Sequence, residues 1–217
     1  MKLLLLLLVL GCAPAFSQCS APCLQTTALG VFSTTTSPSL LVVTCGSGNT
    51  ADTVTGVTDA QGRTWIRAAY SGVNFGLFTY YTFNTLTSGV GSLTFTGGTC
   101  GRTWLSEWGG MATSSVVDGI AGAGGSGGAC DAGTITSTAS NNVIYAVGMS
   151  NDGTSGHEAS GYSQLSTSGS EDSEYKVASS STNDPTFTTS LSYECQGVAF
   201  KQASGSPPVR VTRRIIN

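Results

Sequence analysis

Carboxylates are the side chains of widest chemical reach in this chain. Glu107, Glu158, Glu171, Glu174 and Glu194 stand beside seven Asp. Cleaving a glycosidic bond takes two carboxyl groups roughly 5–10 Å apart across a sugar-binding cleft. Glu107 is the best-placed acid, because it lies in a strand-like segment between Trp104 and Trp108. Strand alternation works against that role. Glu107 shares a face with Thr103 and Leu105, while both tryptophans point to the other side. No closely spaced Glu-x-Asp-x-Glu pattern is present. A hydrogen-bonded structural carboxylate is the first expectation for Glu107; hydrolysis with a second acid is the alternative.

Other chemical readings are thinner. Gly124, Ser126 and Gly128 match the nucleophile-elbow spacing, but that motif needs a strand turning sharply into a helix, and here glycines surround it. His157, the single histidine, sits in the polar run 151–158 and reads as solvated. The same run could offer calcium the oxygens of Asp152, Glu158 and backbone carbonyls. It lacks the full EF-hand spacing, so no cofactor is expected and calcium is the one metal to test. Trp65, Tyr80, Trp104 and Trp108, with Tyr70, could form a platform on which sugar rings stack. A β-sandwich core also needs large aromatics, and core is the expectation for each one singly.

The elements that must position these groups read as strands. In 54–84, Asp59-Ala60-Gln61-Gly62 is turn chemistry between runs rich in Val, Thr, Trp and Ile. Further strand candidates fall near 40–45, 53–58, 63–70, 76–84, 91–96, 102–108, 134–138, 142–149, 174–178, 185–193 and 195–201. Short gaps containing Gly, Asn, Asp or Ser between them are the signature of an all-β sandwich or barrel. Leu40 to Cys45 is continuously apolar, as a strand buried on both faces would be. In 142–149, Val143, Tyr145, Val147 and Met149 share one face, with small Ala146 and Gly148 opposite. Residues 119–133 read as a glycine-rich surface loop. No window keeps a helical period.

Composition narrows the class. The 217 residues include 29 Gly and only 10% charged residues, with 40% hydrophobic ones, enough for one sizeable core. A net charge of −3 leaves no footprint for nucleic acid over the body of the chain. Arg210, Arg213 and Arg214 form a basic tip that reads as a solvated tail.

Met1-Lys2, six leucines, Val9 and Leu10 make a signal-peptide core too short to span a bilayer. Ala15-Phe16-Ser17 places cleavage before Gln18. In the alternative, Val9-Leu10-Gly11-Cys12 acts as a loose lipobox and Cys12 is lipidated. Either route carries the chain out of the cytoplasm, to be secreted or held at the cell surface. The mature chain then keeps Cys19, Cys23, Cys45, Cys100, Cys130 and Cys195, an even set that reads as disulfides. Cys19 and Cys23 could close a local loop. Because first and last strands are often neighbours in sandwiches, Cys45–Cys195 is the preferred long-range pair, leaving Cys100–Cys130 between two loops. The expected organisation is a signal peptide at 1–17 and a Thr/Ser-rich lead-in at 18–38, with room for a first edge strand. The domain follows at 39–202, and a tail at 203–217.

Several patterns occur in an order that resembles a known family. They are Leu41-Val42-Val43, then Val57-Thr58-Asp59-Ala60-Gln61-Gly62-Arg63-Thr64-Trp65, Phe78-Thr79-Tyr80-Tyr81 and Leu93-Thr94-Phe95. Ser106-Glu107-Trp108-Gly109-Gly110, Asn142-Val143-Ile144 and Gly197-Val198-Ala199-Phe200-Lys201 complete the series. Over residues 30–201 the chain resembles the exported jelly-roll modules of bacterial surface proteins. The resemblance implies a concanavalin-like, antiparallel two-sheet fold in an extracellular setting, and supplies no catalytic residues. The functional expectation is an exported, non-catalytic β-sandwich that adheres to a glycan or another surface protein. A secreted polysaccharide hydrolase and a purely structural envelope or appendage component are the alternatives.

Overall fold

The computed structural model describes residues 23–29, 38–84, 90–139, 141–151, 161–168, 171–178, 182–189 and 191–204. In chain order the strands begin β1 (Cys23–Leu29), β2 (Ser39–Ser47), β3 (Gly56–Asp59), β4 (Ile66–Ser71) and β5 (Gly76–Asn84). They continue as β6 (Leu93–Thr96), β7 (Arg102–Gly109), β8 (Val117–Ser126), β9 (Ala129–Asp131) and β10 (Ile135–Thr136). The last are β11 (Asn142–Ser150), β12 (Ser163–Ser168), β13 (Glu171–Ala178), β14 (Thr182–Asn183), β15 (Thr186–Thr188) and β16 (Ser192–Lys201). No helix occurs among the described residues, so none is long and apolar enough to cross a membrane.

Two five-stranded antiparallel sheets carry the fold. The first has the order β1-β7-β2-β5-β4, the second β12-β13-β11-β16-β8. They face each other across one core that includes Leu40, Val42, Leu77, Trp104, Trp108, Val143, Tyr145, Val198 and Phe200. Each sheet is also covered on its outer face. The β3–β6 ribbon accompanies a cluster of Leu41, Val43, Cys45, Phe78, Tyr80 and Leu105 outside the first sheet. The β9–β15 and β10–β14 ribbons cover Ala146 and Ile144 outside the second. This layering explains the uninterrupted apolar run of β2, whose nine residues are all buried. Alternate side chains enter two different cores, so neither face needs polar residues.

Polar side chains between the sheets form a chain whose direction follows from counting protons. The Thr79 hydroxyl donates to Gln196 Oε1, and Gln196 Nε2 donates to the Leu77 carbonyl at 3.0 Å. Thr79 has then spent its one proton, so Thr44 donates to it at 2.8 Å and accepts from the Tyr145 hydroxyl at 3.1 Å. Burial pushes the Tyr145 phenol above its ordinary pKa and keeps it a donor.

Two expectations need correction. Residues 119–133 are not a surface loop: most of them build β8 and β9, and β8 pairs along the length of β16. Glycine is there for packing. A Cβ on Gly119 would lie 2.5 Å from the Thr136 carbonyl oxygen, and one on Gly124 would meet Glu194 Oε2 at 2.3 Å. The disulfides also pair differently, as Cys45–Cys100 and Cys130–Cys195, with Cα separations of 5.3 and 5.9 Å. β2 and β16 lie in opposite sheets, and Cys45 and Cys195 point away from each other into the two outer clusters. Facing sheets stand about 10 Å apart, too far to bridge from their outer faces. Each bond instead ties a sheet to the segment beside it: Cys100 precedes β7, and Cys130 lies in β9. The local Cys19–Cys23 loop falls outside the described residues. The lead-in supplies β1, an edge strand paired with β7, as the room left there for a first edge strand allowed.

Candidate functional site

The best-connected polar centre is the turn that opens the recognisable Asp59–Trp65 stretch. Gly62 adopts φ 67°, the left-handed conformation glycine tolerates best, and its N–H donates to the Asp59 carbonyl at 3.0 Å. The Asp59 carboxylate then collects four donors. Gln61 N and Arg63 N reach Oδ1 at 2.9 and 3.1 Å, while Arg63 Nη1 and Trp65 Nε1 reach Oδ2 at 2.9 and 3.2 Å. Arg63 Nη2 reaches on to Asn84 Oδ1 at 3.0 Å, at the end of β5. Burial alone would raise the Asp59 pKa, but the Arg63 bonds, the Gln61 N–H and the Arg63 charge outweigh it and hold it below the usual carboxylate range. Asp59, Arg63, Trp65 and Asn84 are buried, while Gln61 and Gly62 lie at the surface. This centre is a clamp: both Asp59 oxygens are taken by donors of the same chain.

Glu107 is also spent on structure. Its side chain is 0% exposed, on the outer face of the first sheet, and accepts from Ser39 Oγ at 2.6 Å. Trp104 and Trp108 point the opposite way, into the core between the sheets. The alternation argument therefore holds. Trp108 Nε1 donates to Ser106 Oγ at 2.8 Å, and its ring meets Tyr175 edge-on with centroids 5.2 Å apart. Trp65, Tyr80, Trp104 and Trp108 are exposed by only 8, 2, 1 and 0%, so they form no stacking platform at the surface. Tyr80 donates to the Val54 carbonyl at 2.6 Å, and Tyr70, stacked on Phe78, donates to the Thr50 carbonyl. These residues are distributed over both cores.

Ser126 ends β8 and runs into Gly127 and Gly128, both at positive φ. No helix follows, so the elbow spacing has no elbow. Asp152, His157 and Glu158 lie outside the described residues. Among the described residues no group of three or more His, Cys, Asp or Glu could hold a metal ion.

Sequence reasoning missed two acidic centres. One is Glu194 in β16, 0% exposed, which accepts from the Ser71 hydroxyl and from Val73 N and Asn74 N at 2.8 and 2.9 Å. Asn74 Nδ2 adds bonds to the carbonyls of Gly125 and Tyr193 at 2.7 and 3.0 Å. Together they latch the β4–β5 connection onto the second sheet. A lone Glu inside the apolar strand run Cys195–Phe200 and its approach was the available signal. The other centre lies on the outer face of the second sheet, where Asp172, Glu174 and Lys176 alternate along β13. Asp172 is 2% exposed with both carboxylate oxygens unbonded, and the buried Tyr162 hydroxyl is unbonded too. Burial first, then the charges of Glu174 and Asp184, push the Tyr162 phenol up. Asp184 is itself pushed up, by burial and by the charge and hydrogen bond of Asp131.

No family model, curated protein or solved structure matches this chain.

Proposed function

We propose that the chain is an exported, non-catalytic β-sandwich module of jelly-roll, concanavalin-like type, acting in adhesion or as a structural part at the cell surface. One observation carries this reading: the acid best placed for hydrolysis, Glu107, is fully buried and bonded to Ser39, with its flanking tryptophans on the opposite side of the sheet. General acid–base work needs a carboxyl within reach of the proton it moves. Two disulfides suit an oxidising compartment, and the leader-like residues 1–17 suit export. The burial of Trp65, Tyr80, Trp104 and Trp108 turns adhesion away from sugar stacking on those rings and toward contacts made by the strand edges and Thr/Ser-rich surface.

The test uses the oxidised chain from Gln18, screened on glycan arrays, on insoluble polysaccharides and for reducing-sugar release. The expected result is no sugar release, and no glycan binding that depends on the four buried aromatics. Sugar release lost in a folded Glu107→Gln variant would overturn the non-catalytic reading.

A further inference from the structure

Both sheets end on the same side of the molecule. β4 closes the first sheet and β8 the second, and among the described residues no strand pairs with the outer edge of either. The two edges touch. A Cβ on Gly122 of β8 would lie 2.9 Å from the Ser71 side chain at the end of β4, and one on Gly124 would lie 2.6 Å from Val73 Cβ in the connection that follows. None of the ten residues of β8 is buried.

The free backbone groups of β8 follow from its ladder. Gly127 N donates to the Leu191 carbonyl, and β8 pairs antiparallel with β16 in unbroken register from Gly119 to Ser126. In such a pair, residues bonded to the neighbour alternate with residues whose N–H and C=O point away. Odd-numbered positions therefore face β16, and Ile120, Gly122 and Gly124 turn their N–H and C=O to the open edge. A row of this kind is a template for another strand, which native proteins blunt with lysine, proline or a bulge. Residues 119–126 carry no charge, no proline and no break in register.

The side chains select the occupant. Glu194, opposite Gly124, points inward to Ser71, so Ile120, Gly122 and Gly124 share the inward face of β8. Ile120 is 55% exposed, and Val73, which lies over Gly124, is 62% exposed. Pairing β8 with β8 of a second copy about Gly122 sets Ile120 opposite Gly124 of that copy. Opposed residues lie on one face of a sheet, so Ile120 of each copy comes against Val73 of the other. The one charge of β8, Asp118, falls opposite the uncharged Ser126 and is held by Lys201 at 3.1 Å, so no like charges meet.

We propose that β8 is a self-association edge: two copies pair β8 with β8, antiparallel about a two-fold axis at Gly122, and join their second sheets into one continuous sheet. A self-complementary match is closed by its symmetry, so it ends at two copies. The inference rests on the reading of strand-edge contacts above and names a second copy of the chain as what this edge meets.

The oxidised chain from Gln18 is followed by sedimentation velocity and by amide hydrogen exchange at rising concentration. A monomer–dimer equilibrium is expected. The amides of Ile120, Gly122 and Gly124 should gain protection as the dimer forms, while those of Ala121 and Ala123, turned to β16, stay protected throughout. Ile120→Lys should weaken dimerisation by about tenfold or more, because the apolar contact with Val73 is lost on both sides of the axis. Ile66→Lys, on a β4 residue exposed by 50% and outside the paired register, should leave it unchanged. A monomer at every concentration overturns the proposal. So does a dimer whose three outward amides gain no protection, or one that both lysines weaken equally. Such a failure leaves the non-catalytic reading intact, since that rests on Glu107; sugar release would sink that reading whatever the oligomeric state.

Discussion

Removing the Glu194 carboxylate should unlatch one side of the molecule. In Glu194→Ala the Ser71 hydroxyl, on a residue 8% exposed, loses its acceptor inside the protein. A buried donor left unpaired costs about 1–3 kcal/mol. Val73 N and Asn74 N also lose an ionised acceptor, but their turn is only part-buried and water replaces some of the loss. The sum is about 2–4 kcal/mol, against a total domain stability of about 5–15 kcal/mol. Glu194→Gln should lose roughly half as much, because its amide oxygen serves one side and its nitrogen faces a donor. Urea unfolding followed by tryptophan emission gives the midpoints, and a cycle with Ser71→Ala isolates the pair. A coupling of about 1 kcal/mol or more is expected. A Glu194→Ala midpoint within error of wild type, or no coupling to Ser71, would refute the latch.

Three more outcomes follow from the same structure. Asp59 and Asp118 both have pKa values held below the unfolded value, Asp118 because bonds from Thr138, Ala139 and Lys201 outweigh its burial. Their stabilisation is therefore complete above an unfolded carboxylate pKa of about 4 and is lost as pH falls through the folded values; Asp59→Asn should flatten the acid limb of a stability–pH curve. Peptide mapping of the oxidised chain should recover Cys45–Cys100 and Cys130–Cys195, with no Cys45–Cys195 peptide. The loops they close span 55 and 65 residues, so removing either as a Cys→Ala pair should cost about 4 kcal/mol on the chain-entropy account. Gly119→Ala should cost about 1–3 kcal/mol, because its Cβ would strike the Thr136 carbonyl, whereas Gly48→Ala, with nothing within 4 Å, should stay within about 0.5 kcal/mol.

Much of the fold was legible in local pattern. The unbroken apolar run of β2 announced burial on both faces, and Val143, Tyr145 and Val147 do face the central core while Ile144 and Ala146 face the outer ones. The turn at Asp59–Gly62 was readable from its residue types. Its Arg63, Trp65 and Asn84 partners were not, because they are set by folding β3, β4 and β5 together. β8 was hidden since glycine signals loops by composition, and only the proximity of Thr136, Ser71 and Glu194 shows why glycine is required in a strand. The disulfide error has the same origin. Chain order suggested that β2 and β16 were neighbours, and only the sheet assignment reveals that Cys45 and Cys195 face away from each other. For Glu107, alternation gave the correct side of the strand; its Ser39 partner, 68 residues away, could not be read. Asp172 and Tyr162 gave no sequence signal, because an unbonded buried oxygen is a property of three-dimensional surroundings.

The central claim is that the residues with functional promise are used up by the fold. Quenching of native tryptophan emission by iodide tests it most directly, since Trp65, Trp104 and Trp108 are the only tryptophans in the chain and all are buried. The account predicts emission almost insensitive to iodide until the protein unfolds. A large fraction quenched in the native, oxidised chain would contradict it and restore an exposed aromatic face.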